Sequence, residues 1–225
     1  MPESRLKPST SIISSISAFY QKKIASRKIL VLGDQSTGKT SLLHVFSRDH
    51  FPQFFEPAVV ENHTVDVVVD DQIVELSLWD TVGQDEIGNA ESSSCTNIDV
   101  IMLCFSVDQP NSLINAENKW LDRIIERYPG VKICLVALKC DLRDNPKTGA
   151  DLANCGQRTV GYEEGLSTAR RIRASRYLEC SARQNRGVSE AFQEVAKVSI
   201  SKSTSGRNLI RRNYRHLRTR SCVIS

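Results

Sequence analysis

"KILVLGDQSTGKTSLL", residues 28 to 43, runs from an apolar stretch, Ile29-Leu30-Val31-Leu32, into the frame Gly33-x4-Gly38-Lys39-Thr40. A buried strand that enters a glycine-rich turn and then opens a helix is the phosphate-binding P-loop arrangement. The residue types follow from the chemistry. Backbone N–H groups of Gly33, Asp34, Gln35, Ser36, Thr37, Gly38 and Ser41 can surround phosphate oxygens at the helix N-terminus. Lys39 reaches the β and γ phosphates, and the Thr40 hydroxyl is placed to ligate Mg²⁺.

The rest of the chain agrees with a nucleotide-binding α/β domain. Its 225 residues, 40% hydrophobic and 25% charged, suffice for one well-buried domain with tails. No stretch approaches the roughly 20 apolar residues of a membrane helix, and the N-terminus lacks a signal-peptide core, so a cytosolic protein is expected. Seven cysteines, at 95, 104, 134, 140, 155, 180 and 222, show no zinc or redox spacing. Strands are predicted at 28–32, 63–69, 73–79, 98–105, 131–138 and 177–180, and helices at 39–47, 111–127, 162–173 and 188–200. "VDDQ" (69–72) reads as a hairpin turn, so one strand is antiparallel; elsewhere the alternation implies a mainly parallel sheet with helices on both faces. Ligands then bind at the carboxyl ends of the strands.

Three further stretches fall at such ends. "LWDTVGQ" places Asp80 where it can hold Mg²⁺ through water, Gly83 where its N–H meets a γ-phosphate, and Gln84 where it can orient an attacking water. "VALKCDLR" supplies Lys139, Asp141 and Leu142, and "LECSAR" supplies Ser181 and Ala182. A carboxylate can accept from both the N1–H and the N2–H₂ of guanine, which adenine lacks, and a lysine stem can cover the base. GTP is therefore expected over ATP, and an ATP-specific P-loop enzyme is disfavoured.

These four stretches, extended to "LWDTVGQDE", "VALKCDLRDNPKT" and "YLECSARQNRGVSEAF", resemble the nucleotide motifs of Rho-family small GTPases over residues 27–200. "LVALKCDLR" and "GYEEGL" are most similar to the fungal Rho type associated with polarised growth and secretion. The resemblance implies a Ras-like six-stranded G domain holding GDP or GTP with Mg²⁺, and a Rho-type insert helix between Asp141 and Ala182. It implies that Phe51 stacks against the guanine edge. It also implies guanine-nucleotide exchange factors, activating proteins and effectors as partners.

The chain departs from that family at defined points. Gln35 stands where the family has glycine, because backbone and γ-phosphate approach closely there; it is expected to obstruct Gln84 and an incoming arginine finger and to slow hydrolysis. Ala58 replaces the switch I threonine whose hydroxyl would be an Mg²⁺ ligand in the GTP state, and "DEIGNAESSSCTN" lacks the large side chains that anchor switch II partners. Leu138 replaces a polar brace between the base motif and the P-loop. A non-switching scaffold that holds nucleotide permanently, or not at all, is the alternative expectation.

The ends complete the division: 1–26 a flexible extension, 27–200 the G domain, 201–225 a basic tail. Between 202 and 220 lie seven lysines and arginines and no acid, so the net charge of +4 leaves the remainder at −3. Cys222-Val223-Ile224-Ser225 fits a prenylation motif whose terminal serine favours farnesyl. Lipid and basic charge together are expected to tether the protein to the cytoplasmic face of a membrane, the plasma membrane first, beside a cytosolic fraction. With no aromatic surface beside the arginines, nucleic acid is not an expected partner.

Overall fold

A computed structural model describes residues 23–52, 62–80 and 97–201. Continuous apolar runs form the centre of a six-stranded sheet because strands covered on both faces need no polar alternation. β1 (Lys23–Gly33) lies between β3 (Gln72–Asp80) and β4 (Val100–Ser106), in the order β2-β3-β1-β4-β5-β6. β2 (Asn62–Val69) is antiparallel to β3, while β5 (Lys132–Leu138) and β6 (Arg176–Glu179) continue the parallel set. The β2–β3 turn places Asp70 and Asp71 at φ 47° and 60°, the left-handed pair of a type I′ hairpin.

Alternate residues of β1 divide the core. Ile29 and Val31 face a layer made by α1 (Lys39–Arg48) and α6 (Val188–Ile200), where Leu42, Leu43, Phe192 and Val195 are fully buried. Leu30 and Leu32 face the opposite layer. There Leu113 of α2 (Pro110–Asn115) and Leu121 and Ile124 of α3 (Leu121–Arg127) pack with Ala169 of α5 (Tyr162–Arg171). On α6 the buried positions Val188, Ala191, Phe192, Val195, Ala196 and Val198 recur at helical spacing. Phe192 stacks on Phe46 with ring centroids 3.7 Å apart. Burying such a side chain contributes roughly 1.5–3 kcal/mol, so this stripe fixes α6 to the sheet.

Three features differ from the sequence reading or refine it. β1 starts at Lys23, inside the stretch assigned to the N-terminal extension, because Lys23 to Arg27 pair with Ile73 to Leu76 through their backbones; "KIASR" has no apolar run to announce a strand. The helix expected over 111–127 is α2 and α3 joined by one π turn, Ala116–Trp120. The insert helix is α4 (Pro146–Asn154), started by Asn145, whose side chain accepts from the Thr148 N–H at 3.1 Å, with Pro146 in its first turn. It buries none of its residues.

Candidate functional site

The carboxyl end of β1 delivers the chain into the loop 34–38, and two glycines make that path possible. Gly33 has φ 145°, and a Cβ there would lie 2.2 Å from the Cys104 carbonyl oxygen of β4. Gly38, at φ 106°, caps α1. Ser36 is left-handed at φ 61°, whereas Gln35 is not among the positive-φ residues. Backbone conformation therefore does not require glycine at position 35, and any conflict there is one of side-chain volume. Gln35 and Ser36 are exposed, while Thr37 is fully buried and donates to the Asp34 carbonyl at 2.8 Å.

Lys39 is 5% exposed, and its Nζ donates to the Gly33 and Asp34 carbonyls at 3.0 and 2.8 Å. Burial pushes its ammonium below the usual lysine range, opposed by the nearby thiol of Cys104 and the carboxylates of Asp80 and Asp34. A buried cation among carbonyls, next to loop N–H groups, suits a polyanion. At the next residue, Thr40 Oγ1 donates to Asp80 Oδ2 at 2.6 Å. Asp80 is 2% exposed at the end of β3, so a hydroxyl from the first turn of α1 and a carboxylate from a strand end converge. This is the hard-oxygen donor pair that Mg²⁺ prefers, with substrate phosphates and water completing its sphere. Ser41 is buried in the first turn of α1.

The base-side loops meet the same end of the sheet. Lys139 adopts φ 56°, and its stem crosses the P-loop so that a Cβ on Gly38 would lie 3.7 Å from its Cε. Its Nζ bonds Asp108 Oδ2 at 3.2 Å. Leu138, 3% exposed, sets Cδ1 3.9 Å from the same point, so an apolar contact stands where the sequence reading had a polar brace lost. Ser181 Oγ donates to Asp141 Oδ1 at 2.6 Å and accepts from the Gln184 N–H at 3.1 Å. Backbone bonds from Cys140 N–H to Cys180 O and from Cys180 N–H to Ala137 O tie the two loops together.

Leu142 is half-buried against the core on the α2–α3 side, and Ala182 against the opposite core, so the side chains of both serve packing. Phe51 follows α1 and is 39% exposed. Gln84, Gly83, Ala58 and Cys222 lie outside the described residues.

Sequence reasoning missed three contributors. Asp108 accepts from both Lys139 and the Ser106 hydroxyl; its position just past the end of β4 was the available signal. Asn115 and Trp120 both hold Asp34, and nothing in their spacing announces it.

The Ras family model matches residues 28–201. The GTP-binding protein Rho3 of Schizophyllum commune is 58% identical over 175 residues, covering 77% of this chain and 85% of that protein. GTP-binding protein rho3 of Schizosaccharomyces pombe is 49% identical over 186 residues (83% and 89% covered). RHO3 of Saccharomyces cerevisiae is 44% identical over 205 residues (82% and 89%). The family match takes in β1 from Lys28, the other five strands and the six helices described above, beyond the nucleotide motifs.

Proposed function

The chain belongs to the Ras family, among the fungal Rho-type small GTPases, and on that premise we propose that it binds GDP and GTP with Mg²⁺, hydrolyses GTP slowly and signals from a membrane. The observation that carries the reading is the convergence at one sheet end of buried Lys39, the Thr40–Asp80 oxygen pair and the Asp141–Ser181 pair. Asp141 reads the guanine edge while the Lys139 stem lies against it. Lys39 and the loop N–H groups hold the β and γ phosphates. Thr40 and Asp80 hold Mg²⁺, which when bound neutralises phosphate charge and orients the γ-phosphate.

Hydrolysis needs a water placed by Gln84 and, under stimulation, an arginine finger that accelerates the reaction by roughly 10³ to 10⁵. Gln35 adds a side chain to the exposed side of the phosphate loop, and its volume competes with both. Ala58 offers no oxygen to Mg²⁺, which weakens the coupling of switch I to the γ-phosphate. Prenylation at Cys222 with the arginine-rich tail supplies the two signals that stable membrane attachment needs. Exchange factors, activating proteins and effectors are its partner classes, engaged weakly where switch II has lost its anchors.

Single-turnover phosphate release, with and without a Rho-directed activating protein, tests this. Gln35→Gly should restore part of the stimulation, and Gln35→Gly with Ala58→Thr clearly more. Wild type stimulated like other Rho proteins would refute the obstructed switch. Ala58 favours a second reading, a non-switching scaffold; a wild-type chain that copurifies with no guanine nucleotide would select it.

A further inference from the structure

The carboxylate of Asp34, inside the phosphate loop, is gripped by two side chains of one helix. Trp120 Nε1 donates to Oδ1 at 2.8 Å, and Asn115 Nδ2 donates to Oδ2 at 2.6 Å. Trp120 is completely buried and Asn115 half-buried. The two stand five positions apart. At the α-helical 100° per residue they would diverge by about 140°, too far to hold two oxygens of one carboxylate. The π turn narrows that divergence: the Leu121 N–H bonds the Ala116 carbonyl, five residues back, so the turn widens and residues five apart come toward one side.

The grip passes inward to the phosphate lysine. The Asp34 main-chain carbonyl accepts from Lys39 Nζ and from the Thr37 hydroxyl, both at 2.8 Å. A freed aspartate side chain at this point would bond the N–H groups two or three residues ahead, as aspartates in turns do, and compete with phosphate for them. With both oxygens committed to the helix, that competition is suppressed. Outside, Glu117 within the turn makes a two-pronged ion pair with Arg171 of α5, at 2.7 and 2.8 Å.

We propose that the π turn at 116–120 is a clamp on the phosphate loop, with Asn115 and Trp120 as positioning residues that slow nucleotide release. The proposal rests on the phosphate loop being a guanine-nucleotide site. Neither residue touches nucleotide; each acts through Asp34.

The test uses the full chain loaded with fluorescent GDP and chased with unlabelled GDP, while melting temperatures are recorded in parallel. Asn115→Asp sets a second carboxylate against Asp34 and should speed release roughly tenfold or more, the scale of a lost hydrogen bond to a charged group. Asn115→Ala should speed it less. Trp120→Phe should also speed it, and the asparagine variants keep the test intact if that protein folds poorly. The exchanged pair Asp34→Asn with Asn115→Asp recreates both bonds, because the new amide in the loop still offers an oxygen to the indole while its NH₂ donates to the new carboxylate on the helix; release should return to within about twofold of wild type. Arg171→Ala breaks the exposed pair on the same turn and should leave release within about twofold, since such pairs contribute little. Unchanged release in Asn115→Asp, failure of the exchange to restore it, or equal acceleration by Arg171→Ala would each overturn the clamp. A folded wild type that binds no GDP would overturn the nucleotide site itself, and the clamp with it.

Discussion

Replacing Asp141 by asparagine should exchange the base preference of the site, and its partner Ser181 favours one orientation of the new amide. Ser181 Oγ accepts from the Gln184 N–H, so its own proton is committed to Asp141 Oδ1. In Asp141→Asn the orientation that preserves this bond turns the amide oxygen toward Ser181 and leaves the NH₂ facing the base. Guanine offers N1–H and N2–H₂ there, two donors against a donor. The loss is at least one hydrogen bond to a charged group, about 1.5–3 kcal/mol, so GDP affinity should fall roughly 10- to 150-fold. Xanthine carries a carbonyl at the same carbon, which accepts from the new NH₂, so XDP affinity should rise as GDP affinity falls. Competition titrations of fluorescent GDP and XDP against the wild type and the variant measure both. If the two affinities fall in parallel, the substitution has only loosened the loop, and Asp141 is not the residue that reads the base.

Lys39→Met should abolish measurable nucleotide binding yet leave the nucleotide-free protein about as stable as wild type. Burial depresses the folded pKa of Lys39, so its charge costs stability at neutral pH; that cost fades as pH rises toward 10.5, a rise in stability that methionine should remove, readable in melts from pH 7 to 10. Gly33→Ala forces a Cβ into the Cys104 carbonyl at a positive φ and should cost about 3 kcal/mol or more, lowering the melting temperature by roughly 6–12 °C if folded protein is recovered. Burial raises the Cys104 and Cys134 thiols to about 12 and Cys140 to about 11, and Cys180 well above its usual value. At pH 8 a maleimide should therefore label exposed Cys155 and spare these four, as peptide mapping would show. Cys222→Ser should move the protein from the membrane to the soluble fraction of a cell lysate.

What the sequence disclosed depended on whether a residue acts through its own neighbours. Ile29 to Leu32 announce a buried strand by composition, and the glycines and Lys39 announce the loop by spacing, because local backbone geometry sets both requirements. Asp141 and Ser181 were readable for the same reason: each sits at a strand end. The start of β1 was hidden because "KIASR" joins the sheet through backbone groups, which carry no residue signature. The π turn was hidden because its residues are ordinary helix formers, and its width is accompanied by grips on Asp34 and Arg171, far away in sequence. Leu138 was readable as the loss of a polar brace, but not as the apolar contact beside Gly38, which only the meeting of two loops creates.

The departures from the family separate into two regions, and their separation carries the final prediction. On the base side Lys139, Asp141 and Ser181 keep their types, and each is held by a partner: Asp108, Ser181 and Gln184. At the phosphate loop Lys39 and Asp80 are buried and Thr40 half-buried, and all three are paired. Apart from Leu138 on the base side, the unusual residues are Gln35 in the phosphate loop and Ala58, and on the function proposed above both bear on the sensing of a third phosphate. On that proposal, contacts common to GDP and GTP are retained, while contacts that only GTP can make are reduced. A switch is driven only by the difference in its interactions with the two ligands, however tightly both bind. The chain should therefore bind GDP and a non-hydrolysable GTP analogue with affinities within about threefold, each shifting the melting temperature by a similar amount at equal excess. Ala58→Thr should widen the gap in favour of the GTP analogue by restoring an oxygen that only the GTP state engages. Equilibrium titrations in Mg²⁺ with both nucleotides, for wild type and Ala58→Thr, decide it. A wild type that already favours the GTP analogue tenfold or more would show that sensing survives without the threonine hydroxyl, and that the argument from its loss is wrong.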